Sequence, residues 1–186
     1  MMHNFKEDYI KTEVGPIHFY KLGKGPPVLL LHGYPQCSLM WEETATLLSE
    51  NYTTIIPDLR GYGDSAAPKG LPDHSNYSKR VMALDMVQVL DYLNVDKTSV
   101  VGHDRGGRVA HRLARDHRDR VSSLSVIDIC PTLDMYEQTS KDFATSYFHW
   151  FFLIQNAPLP EDFIGARHTI NLQGCERLPH RPWQRR

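Results

Sequence analysis

Thr98–Arg118 reads TSVVGHDRGGRVAHRLARDHR, and this stretch limits the fold classes open to the chain. Its start, Thr98–Gly102, is an apolar run typical of a strand buried on both faces, and Arg105–Arg118 has apolar residues at helical spacing. At the junction, residues 102–106 (GHDRG) place a glycine two positions to either side of Asp104. Such glycines permit a sharp strand-to-helix turn that presents the central residue as a nucleophile. The alternative interpretation is that Asp104 only caps the N-terminus of the helix.

Strands and helices alternate on both sides of this turn. The pattern predicts a hairpin of Tyr9–Val14 and Ile17–Leu22 around the turn pair Gly15–Pro16, and further strands at Val28–Leu31, Tyr52–Asp58 and Val121–Ile129. It also predicts helices at Ser38–Glu50, with Ser38 as the N-cap, and at Lys79–Leu93. Strands separated by helices of this length are typical of an α/β fold with a mostly parallel sheet and flanking helices.

The composition is that of an ordinary soluble domain. The 186 residues are 41% hydrophobic and 23% charged, which favours neither a disordered nor a fibrous architecture. The 21 Lys and Arg nearly balance the 22 Asp and Glu, so the chain lacks the overall positive charge that is typical of nucleic-acid-binding proteins. Its longest apolar runs, Pro27–Leu31 and Phe151–Ile154, are far shorter than the roughly 20 residues of a membrane helix. We therefore expect no nucleic-acid or membrane partner.

The N-terminus and the cysteines predict a cytoplasmic protein. Residues 1–11 contain Lys6, Glu7 and Asp8 and no apolar leader. The three cysteines are odd in number and form no C-x-x-C pair, which argues against a disulfide framework or a zinc site. Cys130 is expected to be a buried small residue. No metal is expected.

Residues 166–186 differ from the rest of the chain. They contain five Arg, no Lys and one acidic residue, Glu176, and they lack any helical or alternating apolar period. The interpretation is a disordered Arg-rich tail with solvated charges, and an anion-binding arm is the alternative.

Five segments together resemble the haloacetate (fluoroacetate) dehalogenases of the α/β-hydrolase superfamily. They are His32–Pro35 (HGYP), Asp58–Ser65 (DLRGYGDS), Gly102–Arg108 (GHDRGGR), Val126–Thr132 (VIDICPT) and Tyr147–Trp150 (YFHW). The first three recur in many epoxide hydrolases and dehalogenases, whereas the Asp-Arg-Gly-Gly-Arg run and the His-Trp pair are more specific to haloacetate enzymes. The resemblance covers about residues 8–165. It implies an incomplete α/β-hydrolase core over residues 1–130 and the start of a helical cap over 131–165, followed by the non-family tail 166–186.

The resemblance implies hydrolysis of a 2-haloacetate to glycolate and halide through an aspartyl ester, with no cofactor. Asp104 is the implied nucleophile, and the backbone amides of Tyr34 and Arg105 are the implied oxyanion hole. Asp128 is the implied carboxylate that orients the general base, although a strand-end Asp that caps a turn is the alternative. A homodimer is the assembly that the family suggests.

Two arginines follow the nucleophile on one face of the helix. Arg105 and Arg108 are three residues apart, and a guanidinium fork binds a carboxylate in bidentate fashion, so the pair predicts a small substrate that bears a carboxylate. The alternative is a solvent-facing pair, like Arg112, Arg115 and Arg118 further along the helix.

Three other residues have both a functional and a structural interpretation. His149 and Trp150 are implied halide ligands, in keeping with an indole N–H that only donates. Their alternative is the packing of an aromatic cap helix. His32 is expected to have a hydrogen-bonded structural role.

Parts of the family pattern do not occur in this sequence. The family places its general-base histidine after the last strand, and the two histidines beyond the cap start, His168 and His180, fall in the tail. The last two strands, the remaining cap helices and a further halide-binding tyrosine are also missing. We therefore expect a chain truncated at its C-terminus, by a frameshift or a truncated reading frame, that lacks the general base and exposes Val121–Ile129 as a sheet edge. Its dehalogenation would be impaired or limited to a single turnover.

Two other functions remain open. One is an epoxide hydrolase, which shares the aspartate nucleophile but typically has an aromatic residue where Arg105 stands. The other is a catalytically inactive anion-binding fragment.

Overall fold

The computed structural model describes residue 2 and residues 4–165. These residues belong to two compact units, Met1–Ile129 and a second unit that begins at Cys130. The predicted Arg-rich tail, 166–186, lies outside the described residues.

Six strands of the first unit form one mixed sheet. They are β1 (Lys6–Thr12), β2 (Gly15–Leu22), β3 (Pro27–Leu31), β4 (Thr53–Pro57), β5 (Thr98–His103) and β6 (Val121–Ile127). Their spatial order is β1-β2-β4-β3-β5-β6, in which β1–β2 and β2–β4 pair antiparallel and the other three pairs are parallel. The mostly parallel sheet that the sequence predicts is confirmed.

Helices cover both faces of the central strands, which explains why those strands are continuously apolar. The helices of this unit are α1 (Glu42–Leu48), α2 (Lys79–Tyr92) and α3 (Arg105–Asp116). Alternate residues of a strand point to opposite faces. Leu29 and Leu31 therefore pack in one cluster with residues of α2 and α3, while Leu30 packs in another with residues of α1.

Some predicted boundaries are wrong. The hairpin turn is at residues 13–14, because Gly15 and Pro16 already pair with β1 and the Pro16 carbonyl accepts a hydrogen bond from the Ala66 amide at 2.7 Å. Ser38 does not cap a long helix. It begins a 3₁₀ helix that precedes α1, and its amide donates to Asp58 Oδ1 at 2.7 Å.

The last strand of the sheet, β6, has an uncovered apolar surface. None of its residues is buried, and Leu124, Val126 and Ile127 are 37%, 42% and 43% exposed. Parallel strands normally have both faces covered. The expected exposure of this strand is therefore observed.

The second unit consists, in its described part, of short helices. They are α4 (Thr132–Glu137), α5 (Lys141–Ser146), α6 (Phe148–Leu153) and α7 (Leu159–Gly165). Aromatic rings of the first three helices, and of the residue between α5 and α6, pack on one another with centroids 4.9 to 6.0 Å apart. They belong to Tyr136, Phe143, Tyr147, Trp150 and Phe151.

The cysteines differ from expectation. Cys37 is buried and disulfide-bonded, so the sequence argument against disulfides is wrong for this residue. Cys130 is a free thiol, and it is exposed rather than buried. Within the described part of the chain, no helix combines the length and the apolar character needed to cross a membrane.

Candidate active site

Asp104 lies in the sharp turn that the sequence predicts between β5 and α3. Its backbone has φ 47° and ψ −115°, a strained conformation for a residue with a side chain. The neighbouring glycines make this turn possible. A Cβ on Gly102 would lie 2.5 Å from the Gly106 carbonyl oxygen, and one on Gly106 would collide with the carbonyl oxygen of Leu31. The turn therefore requires both glycines.

The Asp104 carboxylate faces the loop that follows β3. Its Oδ1 accepts a hydrogen bond of 2.8 Å from the Tyr34 amide, and it makes no capping hydrogen bond to α3. The alternative of a helix-capping aspartate is therefore wrong. The Tyr34 amide, one of the two expected oxyanion-hole donors, is in direct contact with the carboxylate.

Arg105 is held beside the same loop. Its guanidinium carbon lies 5.3 Å from the ring centroid of Tyr34, within the range of a cation–π interaction. Its positive charge also acts on the Tyr62 hydroxyl. Burial raises the pKa of Tyr62 despite the opposing charge of Arg105, so this phenol stays neutral. The Tyr34 ring thus packs against the guanidinium of the residue that follows the nucleophile.

Two further cations lie close to Asp104. Arg108 is half-buried one turn along α3 from Arg105, and Lys79 is the first residue of α2. The pKa of Lys79 is lowered to about 8, chiefly by burial and then by the positive charges of Arg105 and Arg108, while Asp104 opposes this shift. Three cations, Lys79, Arg105 and Arg108, therefore interact with one another and with a single carboxylate.

His32 supports the loop that carries Tyr34. It is fully buried, its Nδ1 lies 2.9 Å from the Gly33 carbonyl oxygen, and its Nε2 accepts from the Leu59 amide at 2.9 Å. Burial lowers the pKa of His32, which keeps the ring neutral, as this pair of contacts requires. The predicted structural role of His32 is confirmed, because it joins the chain after β3 to the chain after β4.

Asp128 follows β6 at the same edge of the sheet as Asp104. His103 and Ile127 pair in the parallel register, and the Asp104 amide donates to the Ile127 carbonyl at 3.2 Å. Asp128 is exposed with φ 53°, and no side chain within residues 4–165 hydrogen-bonds to it. Its expected role toward a histidine stays a prediction.

His149 and Trp150 lie in α6 of the second unit. Trp150 packs in the aromatic cluster of that unit, with its ring centroid 5.9 Å from that of Tyr136 and 5.8 Å from that of Phe143. His149 lies against Phe148, with ring centroids 6.0 Å apart. The packing alternative is therefore observed for Trp150, and halide binding by either residue stays a prediction.

In the part of the chain that the structure describes, one group has the spacing of metal ligands. Ligand atoms of Glu7, His18 and Asp64 lie within 4.8 Å of one another. However, His18 Nδ1 is 2.8 Å from Asp58 Oδ2 and its Nε2 is 3.1 Å from Glu7 Oε1. Burial lowers the pKa of His18, but Asp58 and Glu7 together raise it above its usual value, which favours a protonated ring that cannot bind a metal. The group is an ion-pair network that joins β1, β2 and the loop after β4.

Sequence analysis missed Tyr62 and Lys79. Tyr62 stands in the DLRGYGDS segment, so that motif was a usable signal. Lys79 has no local signal, because its position at the site depends on how α2 packs against α3.

Comparisons with known proteins agree with this architecture. A model of the alpha/beta hydrolase fold matches residues 26–161. A fluoroacetate dehalogenase from Burkholderia sp is 50% identical over 153 residues, which cover 82% of this chain and 50% of the relative. A soluble epoxide hydrolase from Corynebacterium sp. (strain C12) is 42% identical over 117 residues, or 63% of this chain and 39% of the relative.

A solved structure of an alpha/beta hydrolase from Nostoc sp PCC 7120 has a TM-score of 0.86 and 54% identity, covering 90% of this chain and 57% of that one. The expected α/β-hydrolase fold is thus confirmed. The chain spans about half the length, or less, of the curated relatives described above.

Proposed function

Because the chain belongs to the alpha/beta hydrolase family, we propose that its Asp104 displaces halide from a 2-haloacetate. The observation that carries this proposal is the Asp104 carboxylate at the tip of the strained turn, which accepts a hydrogen bond from the Tyr34 amide at 2.8 Å. Arg105 follows it directly, and Arg108 lies one helical turn further along α3. An aspartate nucleophile suits attack on a saturated carbon. The excess of positive charge suits a substrate that is an anion.

The first step forms an ester. A carboxylate oxygen of Asp104 attacks the carbon that bears the halogen, a carbon–oxygen bond forms, and the halide leaves with the electron pair of the carbon–halogen bond. No proton has to be removed, because an aspartate carboxylate is ionised at neutral pH. Arg105 and Arg108 hold the substrate carboxylate. The departing halide needs a hydrogen-bond donor, and this role stays a prediction for His149 and Trp150.

The second step hydrolyses that ester. Water attacks the Asp104 carbonyl carbon, and an oxyanion develops on the carbonyl oxygen. The Tyr34 amide, from the loop after β3, and the Arg105 amide, at the N-terminus of α3, stabilise this oxyanion. A general base must take the proton of the water. Asp128 would orient such a base, yet no side chain within residues 4–165 hydrogen-bonds to Asp128. We propose that the 186-residue chain completes the first step and stalls at the ester, because the resemblance implies a general-base histidine that this sequence does not match.

An epoxide hydrolase is the second candidate, favoured by the 42% identity to a soluble epoxide hydrolase. It uses the same nucleophile, but its substrate carries no negative charge. The cations beside Asp104 would then have no substrate group to bind.

Peptide mass spectrometry after incubation with chloroacetate tests the proposal. We expect a carboxymethyl ester on the peptide that contains Asp104 and at most one halide released per chain. Asp104→Asn should abolish both signals, because an amide is a far poorer nucleophile. Esterification by styrene oxide but not by chloroacetate would favour the epoxide hydrolase. Glycolate binding in calorimetry without any adduct would indicate an inactive anion-binding fragment.

A further inference from the structure

Lys79 is fixed close to the loop that holds Arg105. Just before α2, the Asn76 carbonyl accepts a hydrogen bond from Arg60 Nη1 at 2.7 Å. The Tyr77 ring packs against Gly61, where an added Cβ would lie 3.0 Å from a ring carbon of Tyr77. The residue after Gly61 is Tyr62, whose hydroxyl is subject to the charge of Arg105. These contacts hold the chain just before α2 against the loop that contains Tyr62.

The ammonium group of Lys79 differs from most cations of this unit. Arg60, Arg80, Arg112 and Arg120 each pair with a carboxylate at 3.1 Å or less. Within residues 4–165, neither Lys79 nor Arg105 has a carboxylate at ion-pair distance. Instead, Lys79 Nζ lies 3.5 Å from the Met82 sulfur, a weak acceptor.

The charged groups that face Lys79 are few. They are Arg105 and Arg108 from α3 and Asp104 from the turn that precedes it. Its neighbour Arg80 pairs with Asp116 at 3.1 Å and is 68% exposed. Three cations and one carboxylate thus interact here, and a second negative group would relieve the repulsion among the cations.

From this placement we infer that Lys79 is a third residue that binds the substrate carboxylate, together with Arg105 and Arg108. The inference rests on the proposed function and extends it. The site would select haloacids over uncharged organohalogen compounds through positively charged side chains from two helices, α2 and α3.

This role has a consequence for pH dependence. The lowered pKa of Lys79, about 8, means that the side chain loses its charge over the weakly alkaline range, whereas arginines stay charged. Because an anion binds the charged form better, affinity for the anion should fall as pH rises through about 8. Loss of a charge-assisted hydrogen bond corresponds to roughly 10- to 100-fold in affinity.

The test compares chloroacetate with its neutral analogue chloroacetamide from pH 6.5 to 9.5. The readout is the rate of ester formation on the peptide containing Asp104, since the exposed thiol of Cys130 also reacts with both compounds. For chloroacetate, we expect Lys79→Gln to lower the rate at subsaturating concentration about 10-fold or more at pH 7 and to remove the alkaline decline. Lys79→Arg should keep a high rate up to pH 9.5, and Arg80→Gln should behave like the unaltered chain.

Chloroacetamide provides the control for folding. Lys79→Gln should react with it as fast as the unaltered chain does. Equal slowing with both reagents, or a Lys79→Gln profile with chloroacetate like that of the unaltered chain, would overturn the inference while leaving the proposed function intact. Failure of the unaltered chain to react with chloroacetate at any pH would overturn both.

Discussion

Replacing Arg60 by Met should lower the free energy of unfolding by about 3–5 kcal/mol, because it strands a buried carboxylate. Arg60 and Asp85 are 2% and 1% exposed. Arg60 donates from Nε to Asp85 Oδ2 at 2.8 Å and from Nη2 to Oδ1 at 2.7 Å, and it also donates to the Asn76 carbonyl at 2.7 Å. The substitution removes all three hydrogen bonds and leaves Asp85 with no counter-charge.

Urea unfolding followed by circular dichroism, at low protein concentration, measures this loss. Arg80→Met is the matched control, expected to cost less than about 1 kcal/mol. Arg80 is exposed, and its partner Asp116 keeps Arg112 at 2.7 Å. In Arg60→Met the folded state should take up a proton at Asp85. The deficit should therefore shrink between pH 7 and pH 5.

A double substitution separates two contributions to the free energy of unfolding. One is the destabilisation caused by an unpaired buried carboxylate, and the other is the net stabilisation by the Arg60–Asp85 ion pair. Arg60→Met with Asp85→Leu removes both charges and should recover at least half of the loss caused by Arg60→Met alone. If Arg60→Met costs no more than Arg80→Met, or if the double variant is no more stable than the single one, the reasoning is refuted.

Three other outcomes are expected. Gly106→Ala should abolish ester formation at Asp104 and lower the melting temperature, since the new Cβ meets backbone atoms, whereas Gly70→Ala, with no atom within 4 Å of its Cβ, should do neither. Burial lowers the pKa of His18, but Asp58 and Glu7 raise it above its usual value. The ion pairs of the protonated ring therefore stabilise the fold fully below about pH 6.5, and this stabilisation is lost as the pH rises through the pKa of His18 in the folded protein. His18→Gln should therefore flatten the decline of melting temperature with pH over that range. Val126→Lys should reduce self-association of the protein, and its binding of a hydrophobic dye, because both depend on the exposed apolar surface of β6. Light scattering that this substitution leaves unchanged would show that the protein does not associate through β6.

The nucleophile turn was predictable because its determinants are local. Gly102, Asp104 and Gly106 act through the shape of five consecutive residues, and the apolar runs around them specify the strand and the helix. The hairpin turn was misplaced because Gly15 and Pro16 are strong turn formers locally. A tertiary contact, from the Pro16 carbonyl to the Ala66 amide, keeps them in the strand instead.

The remainder of the site could not be predicted from spacing. Lys79 and Asp104 are brought together by the packing of α2 on α3, and the low pKa of Lys79 is a property of that neighbourhood. Likewise, the pairing of Arg60 with Asp85 joins a loop to a helix whose sequence gives no sign of a buried charge.

The hydrogen bond between Tyr34 and Asp104 joins residues 70 positions apart. Closing so long a stretch of chain costs of the order of 4 kcal/mol in entropy, and the pairing of β3 with β5 contributes to offsetting this cost. A molecule whose helix α3 has formed but whose sheet has not would hold an ordinary, unreactive aspartate. Alkylation of Asp104 would thus serve as an active-site titrant, counting the molecules in a sample whose central sheet is assembled.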